Sequence, residues 1–498
     1  MSGLPKGWVK ATLEAVADVR DFEREPINSS ERESRINGKK ESDLYPYYGA
    51  TGQVGFIDSY RSEGQRVLLG EDAAPFLDPV KDKAYLVNGR FWVNNHAHVL
   101  DGAVGLIDNR FLCYQLNTVD YRSFVTGSTR LKLTSAAMRQ IPLMVAPAAE
   151  QTRIVAKLEE LLSDLDAGVA ELKAAQKKLA QYRQSLLKAA VEGALTAEWR
   201  TQNPPAETGA QLLERILTER RARWEAKQLA KFQEQGKAPP KDWQKKYPEP
   251  VKPDTSGLPE LPEGWVWSSI GQCFHVVVGA TPSRKESSYW GGSIPWVSSG
   301  EVQFSRISKT RETITENGLN NSSTQINPVG SVLLGMIGEG KTRGQVAILD
   351  IEAANNQNCA AIWVAETKIP SEYVYCWLWS QYEQTRHGSS GNNQPALNKS
   401  IVEMLPFPLA PLDEMKESVQ FIDKVLISIS EQEAAIKLAL KQSAAQRQNI
   451  LRAAFSGQLV PQDPNDEPAS VLLERIRAER ASQGTVKKGR GRKVKEVV

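Results

Sequence analysis

The sequence is poor in the residues that most often carry chemistry. Its 498 residues include only four histidines and four cysteines (Cys113, Cys273, Cys359 and Cys376), and no cysteines form a CxxC pair. A disulfide-stapled scaffold and a zinc ribbon are thereby excluded, and the thiols suit a reducing compartment. No run of about 18 consecutive apolar residues occurs, so no membrane-spanning helix is predicted. The opening residues MSGLPKGWVKATLEAV lack the apolar stretch of a secretory leader, and a cytoplasmic location is expected. Charge of one sign is scarce as well: 62 Lys and Arg against 59 Asp and Glu leave a net +3. This excludes a highly basic packaging protein and an acidic solvating tail, and it leaves local patches open. Apolar residues are plentiful at 41%. At about 100–200 residues per domain the chain has material for three or four folded units.

The chain repeats itself. Leu4-Pro5-Lys6-Gly7-Trp8-Val9 returns as Leu261-Pro262-Glu263-Gly264-Trp265-Val266, Val67–Gly70 as Val332–Gly335, and Asn94-Asn95 as Asn355-Asn356. At a constant offset of 264, Gly127, Leu133, Ile141-Pro142 and Ala146-Pro147 match Gly391, Leu397, Leu405-Pro406 and Ala410-Pro411. Leu187-Lys188-Ala189-Ala190, with Gly193 and Leu195, matches Leu451-Arg452-Ala453-Ala454, with Gly457 and Leu459, at the same offset. Leu212–Ile216 returns as Leu472–Ile476. Six matches in one order and at near-constant spacing establish a duplication.

Each half therefore divides into three. A first globular domain spans 1–147 and a second 257–411, both of mixed α/β or α+β class, with strand-like runs at Val67–Leu69, Val99–Ile107, Ser331–Leu334 and Val346–Leu349. Long helices follow, over 148–200 and 412–461. A charged helical linker occupies 201–256, where Ala238-Pro239-Pro240 and Tyr247-Pro248-Glu249-Pro250 interrupt a helix-prone stretch rich in Arg and Lys. A charged tail, 462–498, is expected to be partly disordered and ends in the basic run Lys487–Lys493.

The long helices carry a heptad seam. Leu158, Leu165, Leu172, Leu179 and Leu186 stand at strict sevens, with Ile154, Leu161, Ala175, Tyr182 and Ala189 at the alternate positions. Ile422, Ile429, Ile436 and Ile450 hold the same register 264 residues later, and polar Ser443 interrupts them. Such seams specify a coiled coil. One chain with a long return connection closes it antiparallel, with a pseudo-twofold axis between two homologous domains.

Two motifs suggest chemistry that their context rejects. Gly335–Thr342 fits the phosphate-loop pattern GxxxxGK[ST], which needs a helix beginning at the lysine. Here Arg343-Gly344-Gln345 leads straight into the β-type run Val346–Leu349, and the first half has no such pattern. A P-loop NTPase is the disfavoured alternative. Asn203-Pro204-Pro205-Ala206 resembles the tetrapeptide of adenine methyltransferases but has alanine where an aromatic must stack on a flipped base. His96-Ala97-His98 has no acidic or thiol partner nearby in sequence, and no metal site is predicted. No catalytic residue is assigned.

Two homologous domains on a spacer suit two separated patches of an extended ligand, and duplex DNA is the natural one. In the first domain Arg20, Arg24, Arg32, Arg35, Lys39 and Lys40 lie in a polar stretch before Tyr45-Pro46-Tyr47-Tyr48. In the second, Arg284, Lys285, Arg306, Lys309, Arg311, Lys341 and Arg343 lie among Asn, Gln and Ser. Such side chains contact phosphates and base edges. The candidate DNA-binding residues are Arg32, Arg35, Lys39, Lys40, Tyr47, Arg284, Lys285, Lys341, Thr342, Arg343, Ser389, Asn392, Asn393 and Gln394. A scaffold that bridges proteins without DNA is the other alternative.

The whole pattern resembles the DNA specificity subunit of type I restriction–modification enzymes. The resemblance rests on LPxGW at the head of each half, Tyr47-Tyr48-Gly49-Ala50-Thr51-Gly52, the Ile-Pro-Leu and Leu-Pro-Phe-Pro-Leu-Ala-Pro approaches to the long helices, and the helix ends Ser185–Thr196 and Asn449–Val460. It implies that the globular domains are target-recognition domains, each reading one half of an asymmetric bipartite site, and that the paired helices set the unread spacer. It also implies two methyltransferase subunits and, in the full complex, restriction subunits as partners. S-adenosylmethionine, ATP and Mg would then be bound by those partners and no cofactor by this chain. Docking is expected on 150–200 and 412–461, together with the Leu212–Arg221 and Leu472–Arg480 repeats.

Overall fold

The computed structural model describes residues 4–338, 341–386 and 397–489, with side chains described up to Ala481. The chain forms two compact units: residues up to Ala174 together with those from Ala435 onward, and residues Ala175–Ala434. Each unit is therefore assembled from both halves of the sequence.

In the first unit the strand Val9–Thr12 pairs antiparallel with Pro142–Val145 and closes the globular domain at its base. Above it lies a four-stranded sheet ordered Ala17–Val19, Ala97–Gly102, Arg66–Gly70 and Ala84–Val87. A second sheet runs in the order Gly52–Ile57, Tyr45–Gly49, Arg90–Val93 and Ser62–Glu63. The central strand Arg66–Gly70 reads Val-Leu-Leu and is wholly buried there, as a strand covered on both faces requires. In the second unit Val266–Ser269 pairs with Pro406–Leu409 at the base. Its larger sheet has five strands, in the order His275–Val278, Cys359–Trp363, Val332–Gly335, Val346–Leu349 and Ser305–Ile307. The smaller has three: Glu312–Ile314, Trp290–Val297 and Ala354–Asn355. Val99–Ile107, expected as one strand, stops at Gly102, where a close approach of Ile107 to the glycine turns the chain.

The long helices are Ala148–Val191 and Leu412–Phe455, 44 residues each, starting directly after Pro147 and Pro411. Proline halts the preceding strand without costing the helix a needed donor. In the first unit the start of one helix (Ile154, Leu158, Leu162) shares a core with the end of the other (Ile450, Ala454). In the second the end of the first helix (Leu187, Ala190, Val191) shares a core with the start of the other (Met415, Ile422). Each pairing is antiparallel. Leu158, Leu186, Ile422 and Ile429 are buried, while Leu165, Leu172, Leu179, Ile436 and Ile450 are half-buried. Tyr182, expected in the seam, is 53% exposed. A straight helix drifts about 20° per strict heptad, and the inward place there is taken by Arg183, which pairs with Glu433 at 2.6 Å. Ser443 donates to the Ala439 carbonyl of its own helix and lines a cleft of about 820 Å³ against the first globular domain, together with Leu165, Val169 and Arg447.

The linker and tail are helical. Gly209–Glu234 places Leu212 and Ile216 in the second domain's core, and the helix beginning at Ala469 places Leu473 in the first domain's. The repeated Leu-Leu-Glu-Arg-Ile face, expected to dock partners, is thus occupied within the chain; fully burying one such side chain contributes about 1.5–3 kcal/mol.

Candidate nucleic-acid interface

Both globular domains stand on the same base. The Trp8 indole donates to the Glu150 carboxylate at 3.1 Å, and the Trp265 indole donates to Glu414 at 2.8 Å. Each tryptophan thus bonds to the first turn of the long helix of its own half. The helix end of the other half closes the base: a Cβ on Gly457 would meet Pro5, and one on Gly193 would meet Pro262 and Trp265. Both glycines have positive φ, +71° and +73°, where a side chain is strained as well as obstructed. The terminal helices repeat the symmetry. Ala469 N–H donates to the Gly7 carbonyl and Gly209 N–H to that of Gly264. Arg480 reaches the Glu14 carbonyl and Arg220 that of Phe274.

The repeated asparagines occupy equivalent places with a shift. Asn94 N–H donates to the Tyr48 carbonyl and Asn356 N–H to that of Val297, and each side chain accepts from the residue two further on. Asn94 therefore corresponds to Asn356, and the Asn94-Asn95 match with Asn355-Asn356 is corrected by one residue.

On this common base the second sheet of the first domain and the three-stranded sheet of the second carry different side chains. In the first domain arginines lie over aromatic rings: Arg32 over Tyr47 (5.2 Å), Arg35 and Arg61 over Trp92 (5.1 and 5.4 Å), and Arg90 over Tyr60 (4.8 Å). Carboxylates hold most of them. Asp58 takes both Arg35 (2.6 Å) and Lys39 (2.8 Å), and its carboxyl lies below the ordinary range, chiefly through the Lys39 hydrogen bond. Glu25 pairs with Arg61 and Glu63 with Arg90. Arg32 differs: half-buried, it lies across Gly55 and donates to the Val54 carbonyl at 3.5 Å, with no carboxylate on it among the described residues. Lys40 is exposed, whereas Tyr47 is buried and its hydroxyl faces Ile27.

In the second domain Arg284 lies 3.7 Å over Trp290, and 5.3 Å from Trp296, while Glu312 holds its guanidinium with two oxygens. Lys285 beside it is exposed. Lys341–Gly344 form a turn, with the Lys341 carbonyl accepting from Tyr382 (2.9 Å) and Arg343 donating to the Arg386 carbonyl (3.2 Å). The Thr342 carbonyl faces Gly335, and a strand begins at Val346. No helix starts at the lysine, so the phosphate-loop reading lacks its central element. Ser389, Asn392, Asn393 and Gln394 lie outside the described residues. Of the expected contacts, then, Arg35, Lys39, Arg284 and Tyr47 serve the domain's own packing, and Arg32, Lys40 and Lys285 remain available to a ligand.

His96 and His98 are held within the first domain. His98 is fully buried between Asp21 (2.8 Å) and the Leu133 carbonyl (3.0 Å), and His96 meets Asp72 at 2.7 Å. Among the described residues no group of three or more His, Cys, Asp or Glu is placed to hold a metal. No described helix is long and apolar enough to cross a membrane.

The sequence signature of the type I restriction modification DNA specificity domain matches residues 5–175 and again 262–442. The chain belongs to that family. Both matches take in one globular domain and part of its helix, in agreement with the duplication. The specificity subunit of the Escherichia coli type I restriction enzyme EcoDI is 24% identical over 459 residues, 90% of this chain and 91% of that one. A specificity subunit assigned to Haemophilus influenzae is 36% identical over 149 residues, a match covering 30% of this chain and 36% of that protein. A solved chain from a type I restriction–modification system, described for its complex assembly and conformational transition, has TM-score 0.60 at 16% identity; the match covers 92% of this chain and all of that one. The protein is thus a type I specificity subunit, with two recognition-type domains and antiparallel long helices.

Sequence reasoning missed several parts of the site. Glu150 and Glu414 are 142 and 149 residues from their tryptophans, and only the repetition of LPxGW hinted that the tryptophan had a fixed task. Trp92, Trp290 and Trp296 carried no repeat signal at all.

Proposed function

We propose that this specificity subunit reads an asymmetric, bipartite duplex DNA site, one half with each globular domain, and that the paired helices fix the unread gap. The observation that carries this reading is the base built twice from the same residues under two different polar faces: Arg32 stacked on Tyr47 with exposed Lys40 in one domain, and exposed Lys285 beside the Arg284–Trp290 stack in the other. One frame with two faces suits two dissimilar half-sites. Two methyltransferase subunits dock on the repeated helical surfaces, through the faces left exposed once Leu212, Ile216 and Leu473 are buried, and restriction subunits join in the full complex. S-adenosylmethionine, ATP and Mg act in those partners, and this chain contributes recognition without catalysis.

The test is selection from a random duplex library by the chain together with its methyltransferase subunits. Two unlike conserved patches at a fixed gap are expected. A single patch, or none, overturns the reading. Inserting residues into both helices is expected to lengthen the tolerated gap, and an unchanged gap removes the helices as its determinant.

A further inference from the structure

The positive charge of this protein does not reside in its recognition domains. Residues 1–147 hold eighteen Lys and Arg against eighteen Asp and Glu, and residues 257–411 hold ten against thirteen. Between them, the stretch from Arg220 to Lys252 carries ten basic residues against four acidic (Glu225, Glu234, Asp242 and Glu249). A net +6 in one short stretch exceeds the +3 of the whole chain.

That stretch is a folded arm. The helix Gly209–Glu234 ends near Gln235, and the chain returns along it as far as Tyr247. Aromatic rings staple the return: Trp243 stacks on Trp224 at 5.8 Å and meets Phe232 edge-on at 6.0 Å, while Tyr247 packs on Trp224 at 5.4 Å. Arg220, Arg221 and Arg223 are used internally, by the Phe274 carbonyl, by Glu225 and Glu249, and by Glu219 and Glu366. Lys245 pairs with Asp242. Lys227, Lys231, Lys237, Lys241, Lys246 and Lys252 are all exposed, and none forms an ion pair with a carboxylate among the described residues.

We infer that this arm is a second DNA-contacting surface, which binds the phosphate backbone without reading sequence. The inference rests on the DNA-binding reading above and adds a site outside both recognition domains. Charge complementarity selects the occupant. Lysine ammonium groups are mobile point charges, suited to a polyanion that presents phosphates at regular intervals. The arm's aromatic rings are engaged with one another, which leaves Leu229 and Val251 as its exposed large apolar side chains against those six exposed lysines, and no aromatic anchor of the kind that dominates protein interfaces. With recognition domains near neutral or acidic, the sequence-independent part of the binding energy falls to basic segments outside them, of which the arm is the one with a described fold.

The experiment uses the full-length chain and a 40-base-pair duplex of random sequence, with affinity measured across salt concentrations. Replacing Lys227, Lys231, Lys237 and Lys241 by Gln is expected to lower affinity at least tenfold at low salt. The slope of log affinity against log salt should fall by about 0.9 for each phosphate that the variant no longer neutralises, and the preferred sequence in the library selection should not change. Aromatic packing is preserved in this variant, and an unchanged thermal transition checks the fold. An unchanged salt slope with sequence preference intact overturns the arm and leaves the recognition reading standing. Loss of methyltransferase co-purification with an unchanged slope overturns it in favour of a protein partner. A wild-type chain that binds no duplex DNA sinks both.

Discussion

The two domain bases are alike in geometry and differ in electrostatics. Glu414 is shared by Trp265, Thr196 (2.7 Å) and Arg200 (2.7 Å), three donors of which one is a cation. Glu150 accepts from Trp8, but its other oxygen is buried without a hydrogen-bond partner, and Arg153 beside it is drawn to Asp466. Burial consequently pushes the Glu150 carboxyl above the ordinary value of 4.5, against the Trp8 hydrogen bond and Arg153, which act the other way. Part of the cause is legible in the repeat: 264 residues beyond Thr196, which donates to Glu414, stands Val460, which has no hydroxyl. The repeated frame thus keeps the Trp-to-carboxylate hydrogen bond in both halves while the other partners of the carboxylate differ.

The largest effect is expected from Glu414→Ala. It strands Arg200 and the Trp265 indole, and the second domain should lose about 2–4 kcal/mol, read as faster peptide-resolved hydrogen exchange in 257–411 with 1–147 unaffected. Equal loosening of both domains would contradict their independence. Next is Gly209→Ala, whose new Cβ would lie 2.2 Å from the Leu409 carbonyl; about 1–3 kcal/mol is expected. The equivalent position already holds Ala469, so Ala469→Gly should cost only about 0.5–1 kcal/mol. Protease sensitivity at the two helix starts measures both.

Smaller effects are expected along the helices. Arg183 and Arg447 are equivalent, each pairing across the helices, with Glu433 and Asp166, yet Arg183 also lies over Trp379 at 5.5 Å. Arg183→Ala should cost about 1 kcal/mol and Arg447→Ala about half that, and thermal melts in low and high salt separate the two. The smallest change is Glu150→Gln, within about 0.5 kcal/mol at pH 7 because the amide oxygen still accepts from Trp8. Its signature is pH dependence. A carboxyl raised in the folded state contributes stability below its unfolded value and loses it as pH rises through the raised one. Protection in 1–147, relative to the intrinsic exchange rate at each pH, should therefore fall as pH rises above 4.5 in the wild type and less so in Glu150→Gln. Identical profiles would place the charge elsewhere.

Much of this was legible because duplication writes the same constraint twice. LPxGW, the Pro-to-helix junctions and the heptads located both domains and both helices. The exchange of parts was not legible: Gly457 against Pro5 and Leu473 in the first domain's core join residues more than 450 apart, and periodicity is silent about such distances. The basic candidates failed in part for a different reason. Arg35, Lys39 and Arg284 look like ligand contacts in one dimension, while Asp58 and Glu312, which neutralise them, arrive from other parts of the chain. Tyr182 shows the limit of counting by sevens on a helix that turns every 3.6 residues.

Because each unit combines the globular domain of one half with the helix end and terminal helix of the other, neither half is self-sufficient. A single half leaves the Pro-Gly-Trp seat and the Leu/Ile face unfilled, and a second identical copy can fill both. Two identical copies would present the same polar face twice, whereas one continuous chain sets two different faces on the same repeated skeleton.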